Sequence, residues 1–306
     1  QVKRNENRNR KRKRKLTMFI EYNILRDATT PYTGRCEQFK LNMKEILKKS
    51  YLYKVVKYYS SGKKLLTNST YIDAKSKSEI EIQKKPNRTE VINFLLSQLN
   101  RETNYLEIGV RNPEDNYSKI KSKTKYSVDP GIEFEANPVD FKMTSDEFFS
   151  NLDQNKILSV DIKFDLIFID GLHLAEQVDK DILNALKYVN EDGFIVLHDC
   201  NPPTEWHSRE DYYFKSTPAG GHWNGTTWKA FLKWRFDDSV ESCCIDTDWG
   251  VGVISKKYPI GKRLHLQNLF FEYKTFDKNR TELLNLMTFD NFKEIISETI
   301  HNNSYK

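Results

Sequence analysis

Three short stretches hold the residues most able to do chemistry: Glu107-Ile108-Gly109, Asp170-Gly171-Leu172-His173 and His198-Asp199-Cys200-Asn201. Each ends or follows an apolar run, at residues 105–108, 164–169 and 194–197. Such runs read as buried parallel strands, and ligands of open parallel sheets bind outside the carboxyl ends of the strands. The same end collects Asp129 and Ser145-Asp146. So dense a polar set is hard to explain as packing. An imidazole titrates near working pH, so His173 and His198 either act as bases or only cap a helix and bond the neighbouring Asp.

The stretch 104–130 reads as strand, Gly turn, helix and strand, closing on Asp129. A carboxylate about 20 residues beyond the first turn is placed to hold ribose hydroxyls. A dinucleotide needs a glycine-rich turn that lays its pyrophosphate on bare backbone N–H groups. Here Gly109 stands alone, followed by Val110-Arg111-Asn112-Pro113-Glu114-Asp115, where Glu114 and Asp115 repel phosphate. A nucleoside cofactor without phosphates fits better.

The elements that position these residues follow from local signals. Asn87-Arg88-Thr89-Glu90 is a capping-box start for a helix over 88–100. Val139 to Met143 alternates as a third strand. Leu174, Val178, Ile182, Leu186 and Val189 mark an amphipathic helix, ended by Glu191-Asp192-Gly193. Residues 240–245 and 250–255 flank Asp246-Thr247-Asp248-Trp249 as an antiparallel hairpin. Strands alternating with helices at this spacing give an α/β fold, a Rossmann-like, doubly wound, mostly parallel seven-stranded sheet closed by that hairpin.

The E-I-G-V and S-V-D-P segments resemble motif I and the acidic ribose-binding position of class I S-adenosylmethionine-dependent methyltransferases. The I-D-G-L-H segment after the fourth expected strand and L-H-D-C-N-P after the fifth are similar to the sugar and small-molecule branch, the family-twenty-four type. The resemblance spans roughly residues 88–256 and implies S-adenosyl-L-methionine as cofactor, bound by Glu107, Gly109, Asp129, Ser145, Asp146 and Asp170. It implies a small-molecule or glycan-type acceptor faced by Asp170. Methyl transfer to a hydroxyl then needs a base, for which His173 and His198 are the natural candidates, so the expected catalytic set is His173, His198 and Asp170. Asp170 and Asp199 match carboxylates that hold Mg2+ in catechol-type O-methyltransferases, while soft Cys200 stands where a hard oxygen ligand is expected. The motif I departure is its missing second and third glycines. After Pro202-Pro203 a long aromatic loop suits an acceptor lid, with His222, Trp223 and Asn224 as acceptor-binding candidates; the alternative is a surface loop packing its own aromatics. Trp228, Phe231, Leu232 and Trp234 read as the buried side of the next helix.

The chain has 306 residues and formal charge +6, but residues 1–15 hold nine Lys or Arg and one Glu, leaving about −2 for the rest. A nearly neutral body argues against a nucleic-acid groove. The organisation expected is a disordered basic tail (1–15), an accessory or cap segment (16–86) with a helix over 37–59 ended by Ser60-Ser61-Gly62, a methyltransferase domain (87–257) and a C-terminal accessory segment (258–306). That last segment docks on the domain or on a second subunit in a homo-oligomer. The tail is a solubilising linker, or it contacts nucleic acid, an anionic lipid surface or an import receptor. Four cysteines without CxxC spacing, no signal-peptide pattern and no membrane-length apolar run point to a reducing, cytoplasmic setting. Triplets such as Asn68-Ser69-Thr70 and Asn224-Gly225-Thr226 then read as chance. The rival readings are a nucleic-acid or protein methyltransferase docked by the tail and a non-catalytic scaffold that keeps the sheet. A dinucleotide oxidoreductase is disfavoured by the acidic turn.

Overall fold

The computed structural model describes residues 51–303, except 135, 263, 265–267 and 269. The basic tail 1–15 and the expected helical stretch 37–50 lie outside the described residues. Two compact units divide the chain, residues 1–66 and 67–306. Of the first, helix α1 (Tyr51–Leu66) is described. It runs through Ser60-Ser61-Gly62 instead of ending there. One mid-helix Gly costs only about 1 kcal/mol, too little to stop a helix that continues into Lys63-Lys64-Leu65-Leu66.

The second unit opens with α2 (Ser69–Gln83), capped by Asn68, whose side chain accepts from Thr70 N, and α3 (Arg88–Gln98). Asn87 and Glu90 form the expected capping box. The chain continues as β1 (Asn104–Ile108), β2 (Thr124–Val128), α4 (Ser145–Asp153), β3 (Phe164–Ile169), α5 (Ala175–Tyr188), β4 (Val189–Leu197), α6 (Thr227–Arg235), β5 (Glu241–Ile245) and β6 (Val251–Ser255). It closes with α7 (Tyr273–Lys278), α8 (Arg280–Leu283), β7 (Leu286–Met287) and α9 (Phe289–Asn303).

These strands form one seven-stranded sheet in the order β2-β1-β3-β4-β6-β5-β7. The pairs among β1 to β4 are parallel, β6 is antiparallel to both β4 and β5, and β7 is parallel to β5. The doubly wound sheet and its antiparallel hairpin are therefore as expected. Alternate residues of β3 split between two cores: Ile167 and Ile169 pack with Phe148, Ile182 and Phe231, whereas Leu166 and Phe168 pack with Ile92, Leu95 and Phe292. A strand covered on both faces is largely apolar, and all six residues of β3 are buried, its single carboxylate, Asp165, being paired with Arg101 at 2.6 Å. Each fully buried Ile or Phe contributes at most about 1.5–3 kcal/mol. Trp228, Phe231, Leu232 and Trp234 of α6 are buried as expected.

Three expectations change. The third strand over 139–143 shrinks to a single parallel bridge, Val128 to Phe141. Asp140 explains it: its Oδ2 accepts from Ser127 N (2.9 Å) and Ser127 Oγ (2.6 Å), so a side chain takes the place of a ladder carbonyl. The helix expected after Gly109 is replaced by two 3-10 turns, Pro113–Asp115 and Tyr117–Lys119. Asn116 separates them because its side chain turns into the core, accepting from Thr89 Oγ1 (2.7 Å) and donating to Glu107 Oε2 (2.9 Å). Finally, β4 begins at Val189, directly after α5, instead of after Gly193. Within the tail after Tyr258, Phe276, Leu283, Leu284, Phe292 and Ile296 join the cores, and β7 supplies the seventh strand.

Candidate active site

The carboxyl ends of β1 to β4 open onto a cavity of about 630 Å³. Its floor is set by a close backbone approach. Gly109 has φ +90°, and a Cβ there would lie 2.3 Å from the Asp170 carbonyl oxygen, so only glycine lets β1 and β3 end side by side. Gly109 N donates to Val128 O and Asp170 N to Ile108 O, both at 2.8 Å. Glu107, Gly109, Asp129, Ser145 and Asp146 all line the cavity, together with Asp170, His173, His198 and Asp199. Asp129 accepts from Gly131 N (2.6 Å), while Gln177 donates to Ser145 Oγ (3.2 Å) and Asp146 Oδ1 (2.8 Å).

At one side of this cavity two imidazoles share two carboxylates. Asp170 Oδ1 lies 3.2 Å from His173 Nε2 and 3.1 Å from His198 Nδ1. Asp199 Oδ2 lies 3.1 Å from His173 Nδ1 and 3.3 Å from His198 Nδ1. A third carboxylate completes the cluster: Asp248, in the turn between β5 and β6, sits 3.3 Å from His198 Nε2. Arg88, in the first turn of α3, donates through its backbone N to Asp248 Oδ2 (2.8 Å), and its Nη1 lies 3.3 Å from His198 Nε2. Its Nε, buried and without a hydrogen-bond partner, stands 3.7 Å from Asp170 Oδ2.

The electrostatics follow from that packing. Burial works against charge on His198, yet Asp199 and Asp170 outweigh it and hold its pKa well above the usual imidazole value. His173 is raised in the same way, burial being outweighed by Asp199 and Asp170. Burial also opposes ionisation of Asp170, but His198, His173 and Arg88 hold its carboxyl well below the usual range. Glu107 lacks a cationic contact of this kind. Burial pushes it up to about 7, although Tyr105 Oη and Asn116 Nδ2 donate to its Oε2.

The long loop after Pro203 is held by one guanidinium. Arg209 donates to the carbonyls of Trp206, Asp211, Gly220 and His222. In return Arg209 O accepts from Trp223 Nε1 (2.6 Å), and the Trp223 ring stacks on His173, with centroids 5.1 Å apart and planes 18° apart. The loop's far end is pinned where Gly225, at φ +60°, passes 2.1 Å (as a Cβ would measure it) from His173 O, and Thr226 N donates to that carbonyl at 2.7 Å.

Of the three acceptor-binding candidates, the loop brings only Trp223 to the cavity. His222 stacks on Trp249, centroids 5.2 Å apart, and Asn224 is fully buried, donating from Nδ2 to Asp199 Oδ1 at 2.7 Å. Asn224 therefore orients a carboxylate of the cluster. Cys200 is buried, its Sγ turned toward Leu197 O and Gly252 and away from the cavity. Arg88, Asn116, Arg209 and Asp248 escaped the sequence reading. Asp248 carried a usable signal: β5 runs with β4, so the turn that follows it must lie at the carboxyl end of the sheet.

Residues 92–200 match the model of a family described as a methyltransferase domain. The match covers 109 of the chain's 306 residues and runs from α3 through β1, β2, β3 and β4, the strands whose ends line the cavity. Among curated protein sequences none matches the chain. Solved structures it is similar to include the O-methyltransferase from Bacillus cereus in complex with SAH, at 16% identity, covering 66% of this chain and 97% of that one, TM-score 0.34. Another is the O-methyltransferase TomG from Streptomyces achromogenes in complex with SAM, at 13% identity, 66% and 96% coverage, TM-score 0.35. A third is the MycE methyltransferase of the mycinamycin biosynthetic pathway with Mg, SAH and mycinamycin VI, at 15% identity, 65% and 57% coverage, TM-score 0.36. Overlaps this loose transfer no residue role.

Proposed function

We propose that the chain is an S-adenosylmethionine-dependent O-methyltransferase acting on a hydroxyl of a small, glycan-type acceptor. The observation that carries this reading is the continuity of one cavity from Asp129 and Asp146 to the Asp170–His173–His198–Asp199 cluster. Its charge also fits: seven carboxylates line it against two guanidinium groups, Arg88 and Arg111. Such walls attract a sulfonium and an ammonium and repel a pyrophosphate. The 3-10 turns after Gly109 support the same choice, since they replace the helix N-terminus on which a dinucleotide would rest.

When bound, S-adenosylmethionine supplies an already activated methyl group, so the protein must position the acceptor and take its proton. In this reading Asp129 binds the ribose hydroxyls and Ser145 and Asp146 border the adenine; all three line the cavity. Asp170 and Asp199 raise the basicity of His173, and Trp223 fixes the plane of its ring. The neutral form of His173 accepts the hydroxyl proton, and Asp170 and Asp199 stabilise the imidazolium that results. His198, held between Asp170 and Asp248, is the alternative acceptor of that proton. The aromatic faces of Trp223 and Tyr212 and the Arg111 guanidinium at the mouth suit a polyhydroxylated acceptor.

A divalent cation fits this donor set. Ligand atoms of Asp170, His173 and Asp199 lie within 4.8 Å of one another, and His173 Nδ1 is buried without an aligned hydrogen bond despite its 3.1 Å contact with Asp199. Two hard carboxylates and an imidazole suit Mg2+ or Mn2+, with His173 as a third ligand that the sequence reading left unnamed. Such an ion would acidify an acceptor hydroxyl, leaving proton removal to His198. Three buried free thiols, Cys200, Cys243 and Cys244, fit a cytoplasmic setting.

The test is calorimetric titration with S-adenosylmethionine, S-adenosylhomocysteine and NAD, on the native chain and on Asp129→Ala, followed by an acceptor screen beginning with sugars and nucleotide sugars, with and without EDTA. The reading expects both sulfur nucleosides to bind, NAD to fail, and Asp129→Ala to weaken binding by about tenfold or more. A native chain that binds neither sulfur nucleoside overturns it.

A further inference from the structure

Charge is divided very unevenly between the two units. Residues 1–66 contain 19 Lys or Arg against 5 Asp or Glu, a net +14, whereas residues 67–306 contain 30 against 38, a net −8. The first unit is therefore a polycation carried by an acidic enzyme, and its described helix shows what kind of polyanion it suits. No acidic residue occurs in α1, YLYKVVKYYSSGKKLL. At 3.6 residues per turn, Tyr51, Val55, Tyr58, Tyr59, Leu65 and Leu66 fall within one arc of the helix, and Lys54 and Lys57 fall outside it. That arc is exposed: Tyr51 is 83% accessible, Tyr59 75% and Leu66 73%.

A soluble surface seldom presents so many large apolar side chains together without a partner for them. Nucleic acid needs the cations and has no use for the Val and Leu side chains of the arc. A bilayer surface rewards both. Basic residues meet anionic headgroups while Tyr, Val and Leu enter the boundary between headgroups and acyl chains. Tyr is well suited to that depth, being apolar along the ring and polar at its tip. Among the described residues no helix is long and apolar enough to cross a membrane, so the helix would lie in the interface plane.

We infer that α1 docks this protein on an anionic membrane surface, with the arc Tyr51–Val55–Tyr58–Tyr59–Leu66 inserted and the basic residues of 1–66 held over the headgroups. This is independent of the methyltransferase reading and survives its failure. The test is sedimentation of the full chain with vesicles of phosphatidylcholine alone or with about one-third phosphatidylserine. The chain should pellet with the phosphatidylserine vesicles and stay in solution with the others. Val55→Asp/Tyr59→Asp should weaken that partition by about tenfold or more, as should Lys54→Glu/Lys57→Glu, with helix content checked by circular dichroism. Tyr59→Trp should keep native partition and gain quenching by brominated lipid beyond that of the native tryptophans, all of which lie after residue 200.

Failure to pellet with phosphatidylserine vesicles overturns the inference. So does binding that salt abolishes but Val55→Asp/Tyr59→Asp leaves unchanged, which would mean attraction of the basic segment without insertion. A change from dimer to monomer in the Asp variant, without vesicle binding by the native chain, would assign the face to a second copy and also overturn it.

Discussion

Two histidine clusters sit at the carboxyl end of the sheet, and only one of them opens onto the cavity. His173 and His198 contact Asp170, Asp199 and Asp248 at 3.1 to 3.3 Å, and both are held above the usual imidazole value. His207 is just as deeply buried, but its neighbours are hydroxyls: Ser78 Oγ at 2.9 Å from Nε2 and Thr204 Oγ1 at 2.8 Å from Nδ1. Burial first, then His222 and Arg209, push its pKa down to about 3. All three rings are largely withdrawn from water. The partners decide whether a ring holds a proton that can be exchanged or stays neutral as a structural bridge, and only the carboxylate-bound pair opens onto the cavity.

The sharpest way to break the contrast is to remove the carboxylate that His173 and His198 share. Asp170→Asn keeps the shape and removes the charge that His173, His198 and Arg88 all face. Methyl transfer should fall about 10^3-fold, with His173→Ala and His198→Ala between about 10^2 and 10^4. Steady-state rates on an acceptor found by the screen provide the check. A variant within threefold of native would detach the cluster from the reaction.

His207→Ala should do the reverse. It empties the ring's place under the loop and strands Thr204 Oγ1, while Ser78 Oγ keeps its bond to Ala74 O (2.9 Å). Stability should drop by about 2–4 kcal/mol, with turnover per folded molecule nearly unchanged. The sign of the pH effect is fixed as well. A histidine whose folded pKa is depressed stabilises the fold above its unfolded value of about 6.5 and loses that contribution as pH falls toward 3. Urea titrations should therefore show native stability declining below about pH 6.5, and the decline should be shallower in His207→Ala.

What the sequence made legible is what depends on near neighbours along the chain. The Asn87–Glu90 capping box, the apolar run of β3 and the β5–β6 hairpin are all local signals, and all three formed. Asp170, His173, His198 and Asp199 could be grouped because strand ends in a parallel sheet share a side. Helix α2 was invisible because its buried face is Ala74, Ser78 and Glu81, which gives no apolar period. The loss of the 139–143 strand depended on Asp140 reaching Ser127 across the sheet edge. Arg88 looked like an ordinary first-turn residue, and its meeting with Asp170 and Asp248 is a product of the fold. Asn224 was read as a ligand contact from composition, whereas its depth places it behind Asp199.

Trp223→Ala tests the stack that separates His173 from His207, since no indole lies parallel to the latter within 5.1 Å as Trp223 does to the former. The ring of His173 would then be free to rotate between Asp170 and Asp199. Turnover should fall about tenfold and acceptor KM rise by a similar factor, while S-adenosylmethionine affinity stays within about twofold in calorimetry. An effect on cofactor affinity alone would place Trp223 on the donor side of the cavity.

The smallest effect carries the comparison to a carboxylate whose hydrogen-bond partners are neutral, with the Arg88 charge acting on it only weakly. Glu107 is buried beside Tyr105 and Asn116, and its pKa of about 7 places its ionisation in the working range. A folded pKa raised above the unfolded value stabilises the fold at low pH, and that contribution is lost as pH rises through about 7. Binding a cationic nucleoside next to the carboxylate runs the other way, because only the ionised form attracts it. S-adenosylmethionine affinity should therefore rise severalfold between about pH 6 and 8, while the stability contribution of Glu107 falls over the same interval. Glu107→Gln keeps an acceptor for Tyr105 but cannot ionise. It should bind the cofactor more weakly at pH 8 with a flat pH profile, and unfold at higher urea than the native chain at that pH. Opposite signs from one substitution mark the carboxylate as a binding group held at a structural cost; equal signs would make it a buried hydrogen-bond acceptor and nothing more.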